Sequence, residues 1–502
     1  MNNITKTRYA GVLMHISSLP SPYGIGTLGL EAYEFADFLA KSHVRVWQML
    51  PLNVTSYGDS PYQSPSSTGL NYYFIDLPTL RKKGLLSREE YENVDFGSDP
   101  KKVDYGKLFE NRIRILKLAF SRFNREDPAF CAFEKKGAYR DFAFFMTLKE
   151  RNHYQAWYTW NEEYRNYSAE LEERILSEGR DTYLFYVWTQ FEFLDEFTKL
   201  KDYCHQKGIS IMGDMPLYLA YDSVEAYKHA DLFLFDEKHN PTVVAGVPPD
   251  YFSKDGQLWG NPIYNWAKMK EDHYAWFSDR IRNNLALFDI LRIDHFRGFA
   301  DYYTIPFGMQ NARIGKWVLG PGMDLFEDKL DLPIIAEDLG DIDDVVVKLL
   351  KDTGYPGMKI LEFAFDGAES NQHKPHNCTK NYITYTGTHD NMPILGYLKQ
   401  LTPEEREVFL ADLKKECELC GIEYHIDTLE EATKTLDVLA LSSQTNGAIL
   451  PLQDLLCLDE NSRMNEPSTL TDRNWTYRCK RSDLSPEIAS FLGENILRFH
   501  RG

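Results

Sequence analysis

Eight short apolar runs, most of them followed by a helix-like pattern, constrain the fold of this chain more than any other feature of its sequence. The runs lie at 11–16, 44–52, 209–217, 287–293, 332–336, 358–365, 382–385 and 448–452. Largely apolar runs of this length are typical of strands buried on both faces, as in a parallel sheet. Eight of them alternating with helices predict a (β/α)8 TIM barrel, and a doubly wound α/β sheet is the alternative because periodicity cannot separate the two.

Three intervals between the runs are far longer than the roughly 30 residues of a simple βαβ unit. They cover approximately residues 55–205, 218–285 and 397–443. No linker or charge block divides the chain. We therefore predict a single barrel over residues 1–502, with the three intervals forming subdomains inserted in βα loops, the edge at which barrels build binding sites.

The composition narrows the possible partners. The chain carries 56 Lys and Arg against 75 Asp and Glu, a formal net charge of −19, whereas phosphate binding needs clustered cations. Seven scattered cysteines are typical of a reducing compartment rather than of a disulfide framework. The N-terminus has no signal-peptide core, and no segment reaches the ~18 uninterrupted apolar residues of a membrane span. We expect a cytoplasmic protein that binds neither nucleic acid nor membranes.

Three motifs are similar to cofactor or metal sites but lack the context that such sites need. GIGTLG (24–29) has the glycine spacing of a dinucleotide site, but residues 19–22 separate it from the preceding strand, and the next strand ends without a carboxylate. CELC (417–420) has no second cysteine pair, and HKPHNC (373–378) has no further ligand at metal-binding spacing. We expect neither a cofactor nor a metal, and any role of Cys417 and Cys420 is left open.

Three carboxylates lie at the end of an apolar run or just past it. Asp294 ends LFDILRID, Glu337 ends LPIIAE and Asp390 follows YITYTGTH. The C-terminal ends of barrel strands are where catalytic groups lie, and converging acids raise the pKa of at least one member, as retaining glycosidases require. Each acid alone could instead cap a helix or pair with a cation such as Arg292 or Arg297.

The blocks that contain these acids resemble the signature blocks of glycoside hydrolase family 77, the 4-α-glucanotransferases known as amylomaltases or disproportionating enzymes. The resemblance extends over nearly the whole chain. It implies a barrel with inserted subdomains and no C-terminal β-sandwich domain. The similar blocks are HISSLPSPYGIGTLG (15–29), WQMLPL (47–52), YGDSPYQSPSS (57–67), GDMPLYLAYDS (213–223), VVAGVPPDYFSKDGQLWGNPIYNW (243–266), RIDHFRG (292–298), PIIAEDLGD (333–341), YTGTHDN (385–391) and QDLLCLDENSRMNEPST (453–469).

The resemblance also implies a role for each acid. Asp294 matches the family's nucleophile, Glu337 its acid/base, and Asp390 the acid that stabilises the transition state. Arg292 is expected to fix the nucleophile and keep it ionised. His389 and Asp214 are expected to hydrogen-bond the sugar at the cleavage point.

Further residues are expected to contact the glucan. Tyr57 would stack on the sugar at the cleavage point, and Ser60, Gln257, Trp259 and Asn465 would line the groove. The irregular, Gly- and Pro-rich segment 244–262 is expected to cover the substrate, and the aromatic segment with Trp157, Tyr158 and Trp160 lies in the long first insertion, where a polymer groove would be built. Ser468, Tyr397 and Tyr303 depart from the family pattern, which has Gly at the first position and often Trp at the other two.

The expected activity is the transfer of α-1,4-glucan segments, by a retaining double displacement, from a donor to the 4-hydroxyl of another glucan or of glucose. The substrates would be α-1,4-glucans and maltooligosaccharides, and the protein a monomer or weak homo-oligomer. Two alternatives stay open: an α-1,4-glucan hydrolase of the same clan, and a non-catalytic glucan-binding protein.

Overall fold

The computed structural model describes residues 4–56, 58–249, 254–340 and 342–502. Within these ranges the chain forms twelve β-strands and seventeen α-helices. The strands are β1 (Tyr9–Leu13), β2 (Val46–Gln48), β3 (Ser210–Met215), β4 (Val243–Val247), β5 (Gln257–Pro262), β6 (Ile290–Ile293), β7 (Asp301–Pro306), β8 (Lys316–Leu319), β9 (Ile334–Ala336), β10 (Gly357–Ile360), β11 (Tyr382–Tyr385) and β12 (Gly447–Pro451). The α-helices are α1 (Leu30–Lys41), α2 (Leu77–Lys82), α3 (Tyr105–Arg122), α4 (Pro128–Lys136), α5 (Arg140–Arg151), α6 (Glu162–Arg165), α7 (Ala169–Glu178), α8 (Arg180–Gln206), α9 (Val224–Lys228), α10 (Trp266–Lys270), α11 (Ala275–Leu287), α12 (Asp344–Thr353), α13 (Ile394–Gln400), α14 (Pro403–Cys420), α15 (Leu429–Ser442), α16 (Leu452–Leu455) and α17 (Pro486–Arg498).

Eight strands form one parallel sheet that curls into a nearly closed barrel. Their order is β10-β11-β12-β1-β2-β3-β6-β9, and every pairing is parallel. At the remaining gap, the Ala336 amide of β9 donates to the Pro356 carbonyl just before β10, at 2.9 Å. The strands follow one another around the sheet in chain order, without the reversal that a doubly wound sheet has. The prediction of a (β/α)8 barrel is confirmed, and each of its strands overlaps one predicted apolar run.

Burial explains why these strands read as apolar runs. All their residues are buried except the first residues of β3 and β11, which are half-buried. Strands of a parallel barrel are covered on the outer face and packed against one another's side chains on the inner face, so neither face tolerates a run of polar residues.

The connections between barrel strands differ greatly in size. Between β2 and β3 the chain forms the helices α2 to α8, and between β11 and β12 it forms α13, α14 and α15. The β6–β9 connection contains the strands β7 and β8 instead of an α-helix. These strands join β4 and β5, from the β3–β6 connection, in an antiparallel sheet of order β5-β4-β7-β8. The apolar runs did not predict this second sheet, which stands beside the C-terminal ends of the barrel strands.

After β12 the described chain forms α16, α17, short 3-10 turns and loops. Helix α17 packs on α1 on the outside of the barrel. Among the described residues, no helix combines the length and the hydropathy needed to cross a bilayer.

Candidate active site

Asp294 and Glu337 directly follow the C-terminal ends of two neighbouring strands, β6 and β9. The Asp294 amide, directly after β6, donates to the Met215 carbonyl of β3 at 3.0 Å, and the Glu337 amide, directly after β9, donates to the Ile293 carbonyl at 3.1 Å. The Phe296 amide donates to the Glu337 carbonyl at 3.0 Å. The β-ladder therefore continues into both acidic residues and fixes their backbones side by side at the C-terminal mouth of the barrel.

A buried arginine holds the first of these acids. Arg292 Nη1 lies 2.6 Å from Asp214 Oδ2, and Arg292 Nη2 lies 3.1 Å from Asp294 Oδ1. The side chains of Arg292 and Asp214 are 4% and 0% exposed, whereas that of Asp294 is 28% exposed. Because a guanidinium presents its donors in a rigid fork, Arg292 fixes the orientation of Asp294 while leaving that carboxylate open to the groove.

Backbone amides orient Glu337. The His295 amide donates to Oε2 at 2.7 Å, and the Leu339 amide donates to Oε1 at 2.8 Å. His295 has a φ of +50°, in the left-handed region that few non-glycine residues adopt. This turn directly after Asp294 aims the His295 amide at the neighbouring strand end, so the Glu337 carboxyl lies beside the residue that follows Asp294.

The third acid belongs to the loop after β11. Asn465 Nδ2 donates to Asp390 Oδ1 at 2.7 Å, and His389 Nε2 lies 3.3 Å from the same oxygen. Arg463 Nη2 donates to the Asp390 carbonyl at 2.6 Å. The Asp390 side chain is 41% exposed. The segment that carries Arg463 and Asn465, far away in sequence, therefore sets the direction of Asp390.

Burial and the neighbouring charges shift the pKa values of the clustered acids. Burial raises the pKa of Asp294 well above its ordinary value; the Arg292 charge opposes this, while Asp214, Glu337 and Asp390 add to it. Burial also raises the pKa of Glu337, against the Arg292 charge and the two backbone hydrogen bonds. Burial and the repulsion between neighbouring carboxylates therefore both favour the protonated form of Asp294 or Glu337.

An aromatic cluster that sequence reasoning missed joins two of these residues. The Tyr62 hydroxyl donates to Asp214 Oδ2 at 2.7 Å, and the Tyr62 ring stacks on the His389 ring with centroids 5.1 Å apart and planes 9° apart. Trp475 packs against both rings, at 5.7 and 5.9 Å, and has a φ of +67°. Burial lowers the pKa of His389, which favours the neutral imidazole. A left-handed φ is unusual for a bulky residue and is typical of functional sites.

Two buried acids brace the loop that carries His389 and Asp390. Asp454 Oδ2 accepts from Thr386 Oγ1 at 2.6 Å, and Asp454 Oδ1 accepts from the Ile394 amide at 2.8 Å. Glu362 Oε1 accepts from Asn391 Nδ2 at 2.9 Å. The carboxylate of Asp454 therefore ties together the two ends of the loop, and Glu362 holds its middle.

These bracing acids show that a position just after a barrel strand does not by itself identify a catalytic acid. Asp454 lies just past the apolar run of β12, so the pattern that singled out the other acids applies to it as well. Glu362 follows β10 in the structure but lies inside the apolar run 358–365 of the sequence. Glu362 is 9% exposed and Asp454 is 1% exposed, whereas Asp294 and Asp390 are open to the groove. Burial, which the sequence does not give, separates the acids that can meet a substrate from those that position the loop.

The strand β5 brings two expected groove residues to the same mouth. Trp259 Nε1 donates to Gln257 Oε1 at 3.0 Å, and the Trp259 ring lies edge-on to the His295 ring with centroids 4.7 Å apart. Ser60 Oγ accepts from the Tyr62 amide at 3.2 Å, which brings Ser60 to the same mouth. Tyr57 and much of the expected covering loop, residues 250–253, lie outside the described residues.

The departures from the family pattern have a local explanation at one position. Ser468 has a φ of +62°, where glycine is unstrained, and its hydroxyl donates to Gln257 Oε1 at 3.2 Å. Tyr303 is buried in a small hydrophobic cluster of the antiparallel sheet, and Tyr397 is half-buried against Phe409. Neither tyrosine makes a ring contact or hydrogen bond with a member of the acidic cluster in the described part of the chain.

Two sequence features have structural roles. Trp157 and Trp160 are 1% and 5% exposed in a hydrophobic cluster of the first insertion, so the expectation that they line a groove is wrong. HKPHNC and CELC pack against each other through Glu416, whose carboxylate lies 2.6 Å from His376 Nδ1 and 3.5 Å from Cys420 Sγ. Within the described ranges, no group of three or more His, Cys, Asp or Glu side chains is arranged to hold a metal ion.

Comparison with known proteins gives consistent matches along the chain. The sequence profile of glycoside hydrolase family 77, described as 4-alpha-glucanotransferase, matches residues 14–484. A 4-alpha-glucanotransferase of Clostridium butyricum is 42% identical over 95% of this chain and 97% of its own, and one of Thermus thermophilus is 40% identical over 97% of both.

Solved structures agree with these sequence matches. The amylomaltase of Streptococcus agalactiae, solved in complex with acarbose, superimposes with a TM-score of 0.93 at 40% identity, over 99% of this chain and 100% of the other. The amylomaltase of Corynebacterium glutamicum superimposes with a TM-score of 0.77 at 19% identity, over 100% of this chain and 76% of the other. At that identity the second match supports the fold alone.

Proposed function

The chain belongs to glycoside hydrolase family 77, the 4-α-glucanotransferases, and we propose that Asp294, Glu337 and Asp390 carry out its reaction on α-1,4-glucans. One observation carries this assignment. The two acids on neighbouring strand ends are held differently, Asp294 by the buried Arg292 and Glu337 by two backbone amides. Two carboxyl groups in unlike environments can divide the roles of nucleophile and acid.

In the first half of the reaction, Glu337 gives a proton to the glycosidic oxygen while an Asp294 oxygen attacks the anomeric carbon. The bond from that carbon to the leaving sugar breaks as the ester to Asp294 forms, and the leaving sugar departs with a 4-hydroxyl. Glu337 is then ionised. In the second half it removes the proton from the 4-hydroxyl of an acceptor glucan, whose oxygen displaces Asp294 and restores the α-linkage.

The double displacement requires the proton on Glu337 and the charge on Asp294. The guanidinium of Arg292 supports this distribution, because it stabilises the charged form of Asp294 directly, at 3.1 Å, against the burial that raises its pKa. This assignment gives Arg292 the role that the family resemblance implies, to fix the nucleophile and keep it ionised.

Asp390 stabilises the positive charge that develops on the sugar ring. Its carboxylate is open to the groove, and Asn465 and His389 orient it. Asp214 Oδ1 has no partner among the described residues and is buried, so the expected hydrogen bond from Asp214 to a sugar hydroxyl stays a prediction from the sequence. Its other oxygen is occupied by Arg292 and Tyr62.

Transfer requires that an acceptor sugar replaces the leaving sugar before water attacks the ester. An aromatic ring beside the reacting carbon can bind the apolar face of an acceptor and exclude water from it. Trp259 lies edge-on to His295, directly after the nucleophile. We assign it, with Gln257, to the acceptor side of the groove, and Ser60, Tyr57 and the covering loop to the remaining sugar contacts.

Incubation with maltotriose tests both the activity and the roles. Transfer releases glucose and longer oligosaccharides while the number of reducing ends stays constant, whereas a steady rise in reducing ends would identify a hydrolase. Asp294→Asn is expected to abolish glucose release. Asp289→Asn, at the opposite end of the same strand β6, is the matched control and is expected to keep it. Glucan binding without glucose release by the unmodified protein would identify a binding protein instead.

The cytoplasmic location and the monomeric or weakly oligomeric state stay predictions from the sequence. They are not needed for the proposed mechanism.

A further inference from the structure

We propose that Tyr158, Tyr221 and Phe307 form an auxiliary binding platform for α-1,4-glucan chains, outside the groove of the catalytic acids. This inference rests on the proposed glucan substrate and extends it to a second contact surface. Tyr158 belongs to the aromatic segment of the first insertion, whose two tryptophans are buried. It is 37% exposed, and Phe307 is 48% exposed.

The three rings are contiguous. The Tyr158 and Tyr221 rings are stacked face to face, with centroids 4.5 Å apart and planes 6° apart. The Phe307 ring lies edge-on to Tyr221, at 6.2 Å and 77°. Tyr221 covers one face of the Tyr158 ring and Trp157 lies edge-on to it at 5.8 Å, and 37% of Tyr158 is still exposed. Because the exposed rings of Tyr158 and Phe307 both contact the Tyr221 ring, the three residues form a continuous aromatic patch rather than scattered surface residues.

The patch is held rigidly from below. The buried Trp157 donates through Nε1 to the Tyr221 carbonyl at 2.7 Å, and its amide donates to Asp222 Oδ1 at 3.1 Å. Lys149 Nζ pairs with the other oxygen of Asp222, at 2.5 Å. The Tyr221 hydroxyl donates to the His239 carbonyl at 2.7 Å. Little conformational freedom remains to be lost on binding, which favours affinity from a small contact area.

The chemistry of the patch suits a sugar polymer. Pyranose rings present apolar C–H faces that pack on aromatic rings, and a tyrosine adds a hydroxyl at the edge of the stack. The Tyr158 hydroxyl has no hydrogen-bond partner among the described residues, so it is available to a sugar hydroxyl. A neutral polymer also has no charge to be repelled by Asp222.

The patch is connected to the groove residues of β5 through the β3–β6 connection and the antiparallel sheet. Tyr221 lies seven residues after Asp214, and the intervening Leu219 carbonyl accepts from Asn261 Nδ2, two residues after Trp259 on β5, at 2.9 Å. Phe307 follows β7, whose Pro306 pairs with Val243 at one end of β4, while Gln257 pairs with Val247 at the other. At ~3.3 Å per residue, the two ends of β4 are about 13 Å apart. We expect a long glucan that leaves the groove along this wall to reach the patch, and a trisaccharide held at the catalytic acids to fall short of it.

The experiment compares a polymer with a short substrate. Tyr158→Ala, Phe307→Ala and the double variant are measured for glucan transfer with maltotriose and with amylose, and for retardation in native gels that contain amylose. We expect kcat/KM with maltotriose to stay within twofold of the parent protein. With amylose we expect it to fall threefold to tenfold in the double variant, with a matching loss of retardation.

Two controls separate stacking from general surface effects. Tyr158→Phe keeps the ring and should retain most amylose binding. Phe109→Ala removes a phenylalanine of similar exposure, 46%, on α3, and should change neither measurement. Unchanged amylose retardation and transfer in the double variant would overturn the inference, and so would a change of oligomeric state with amylose binding intact. If the parent protein failed to transfer glucose units from maltotriose, the proposed function would fail instead, whatever the gels show.

Discussion

Removing one oxygen atom, in Tyr62→Phe, tests how the nucleophile is held. The Tyr62 hydroxyl donates to Asp214 Oδ2, the same atom that Arg292 Nη1 contacts at 2.6 Å, while Arg292 Nη2 holds Asp294 at the longer distance of 3.1 Å. Without the hydroxyl, Asp214 depends on Arg292 alone. The guanidinium is then drawn toward Asp214 and away from the nucleophile. The ring should keep its stack on His389, because the substitution leaves the aromatic group in place.

The size of the effect follows from the kind of hydrogen bond. A bond to an ionised group contributes about 1.5–3 kcal/mol. If that stabilisation is lost mainly in the transition state, kcat/KM falls roughly 10- to 150-fold, with most of the change in kcat. The assay is initial glucose release from maltotriose as a function of substrate concentration.

A control substitution distinguishes this mechanism from a loss of stability. Tyr355→Phe removes another buried hydroxyl, which donates at 2.8 Å to the neutral carbonyl of Lys329, and is expected to leave kcat within about threefold of the parent value. The reasoning is refuted if Tyr62→Phe keeps kcat within twofold, or if the two variants lose activity in proportion to their loss of thermal stability.

Three further substitutions test the surroundings of the site. Asp454→Ala removes both hydrogen bonds that tie the ends of the loop after β11, so kcat for maltotriose should fall at least tenfold. The kcat of Asp454→Asn should lie between those of the parent protein and of Asp454→Ala. Equal kcat values for the parent and both variants would contradict the bracing role. Burial raises the pKa of Glu362 to about 8 from 4.5, so the folded protein keeps a proton that the unfolded chain loses, and its unfolding free energy should decrease from about pH 4.5 to pH 8 by up to ~1.4 kcal/mol per unit. Glu362→Gln should remove this contribution in denaturant titrations at several pH values, and an unchanged slope would argue against it. Ser468→Gly removes the side chain from a left-handed backbone and should raise the unfolding free energy by about 0.5–1 kcal/mol, whereas a decrease would show that the hydrogen bond to Gln257 outweighs the strain.

The eight buried strands and the proposed catalytic acids were predictable because both depend on local sequence, whereas periodicity did not decide between a closed barrel and a doubly wound sheet. A strand buried on two faces must be apolar throughout, so eight such runs remain visible despite the large insertions. An acid directly after a strand lies at the barrel mouth whatever the rest of the chain does, which is why Asp294, Glu337 and Asp390 could be selected before any coordinates. The antiparallel sheet was missed because its strands come from two different connections and, apart from β7, are only partly buried or exposed, so they lack the continuous apolar runs that marked the barrel strands.

The same local rule could not assign roles. Asp454 and Glu362 also follow barrel strands, and they differ from Asp294 and Asp390 only in their exposure, which depends on how the loops and helices of the whole chain pack. Tyr62 carried no signal beyond a similar block, because its importance lies in a hydrogen bond to a residue 152 positions later. Trp157 and Tyr158 are adjacent in sequence and equally suited to sugar binding, yet the first is buried and the second is exposed.

The sequence by itself determined the class of the fold, the family and the acids at the strand ends, since each follows from a periodic pattern or from a run of consecutive residues. The tertiary structure alone decided which acids face the groove, which brace it, and which aromatic rings a glucan could reach. These properties depend on burial and on contacts between residues far apart in the chain. A side chain's solvent exposure and partners, and with them its pKa and its reach, exist only once the barrel, its insertions and the C-terminal segment have packed together.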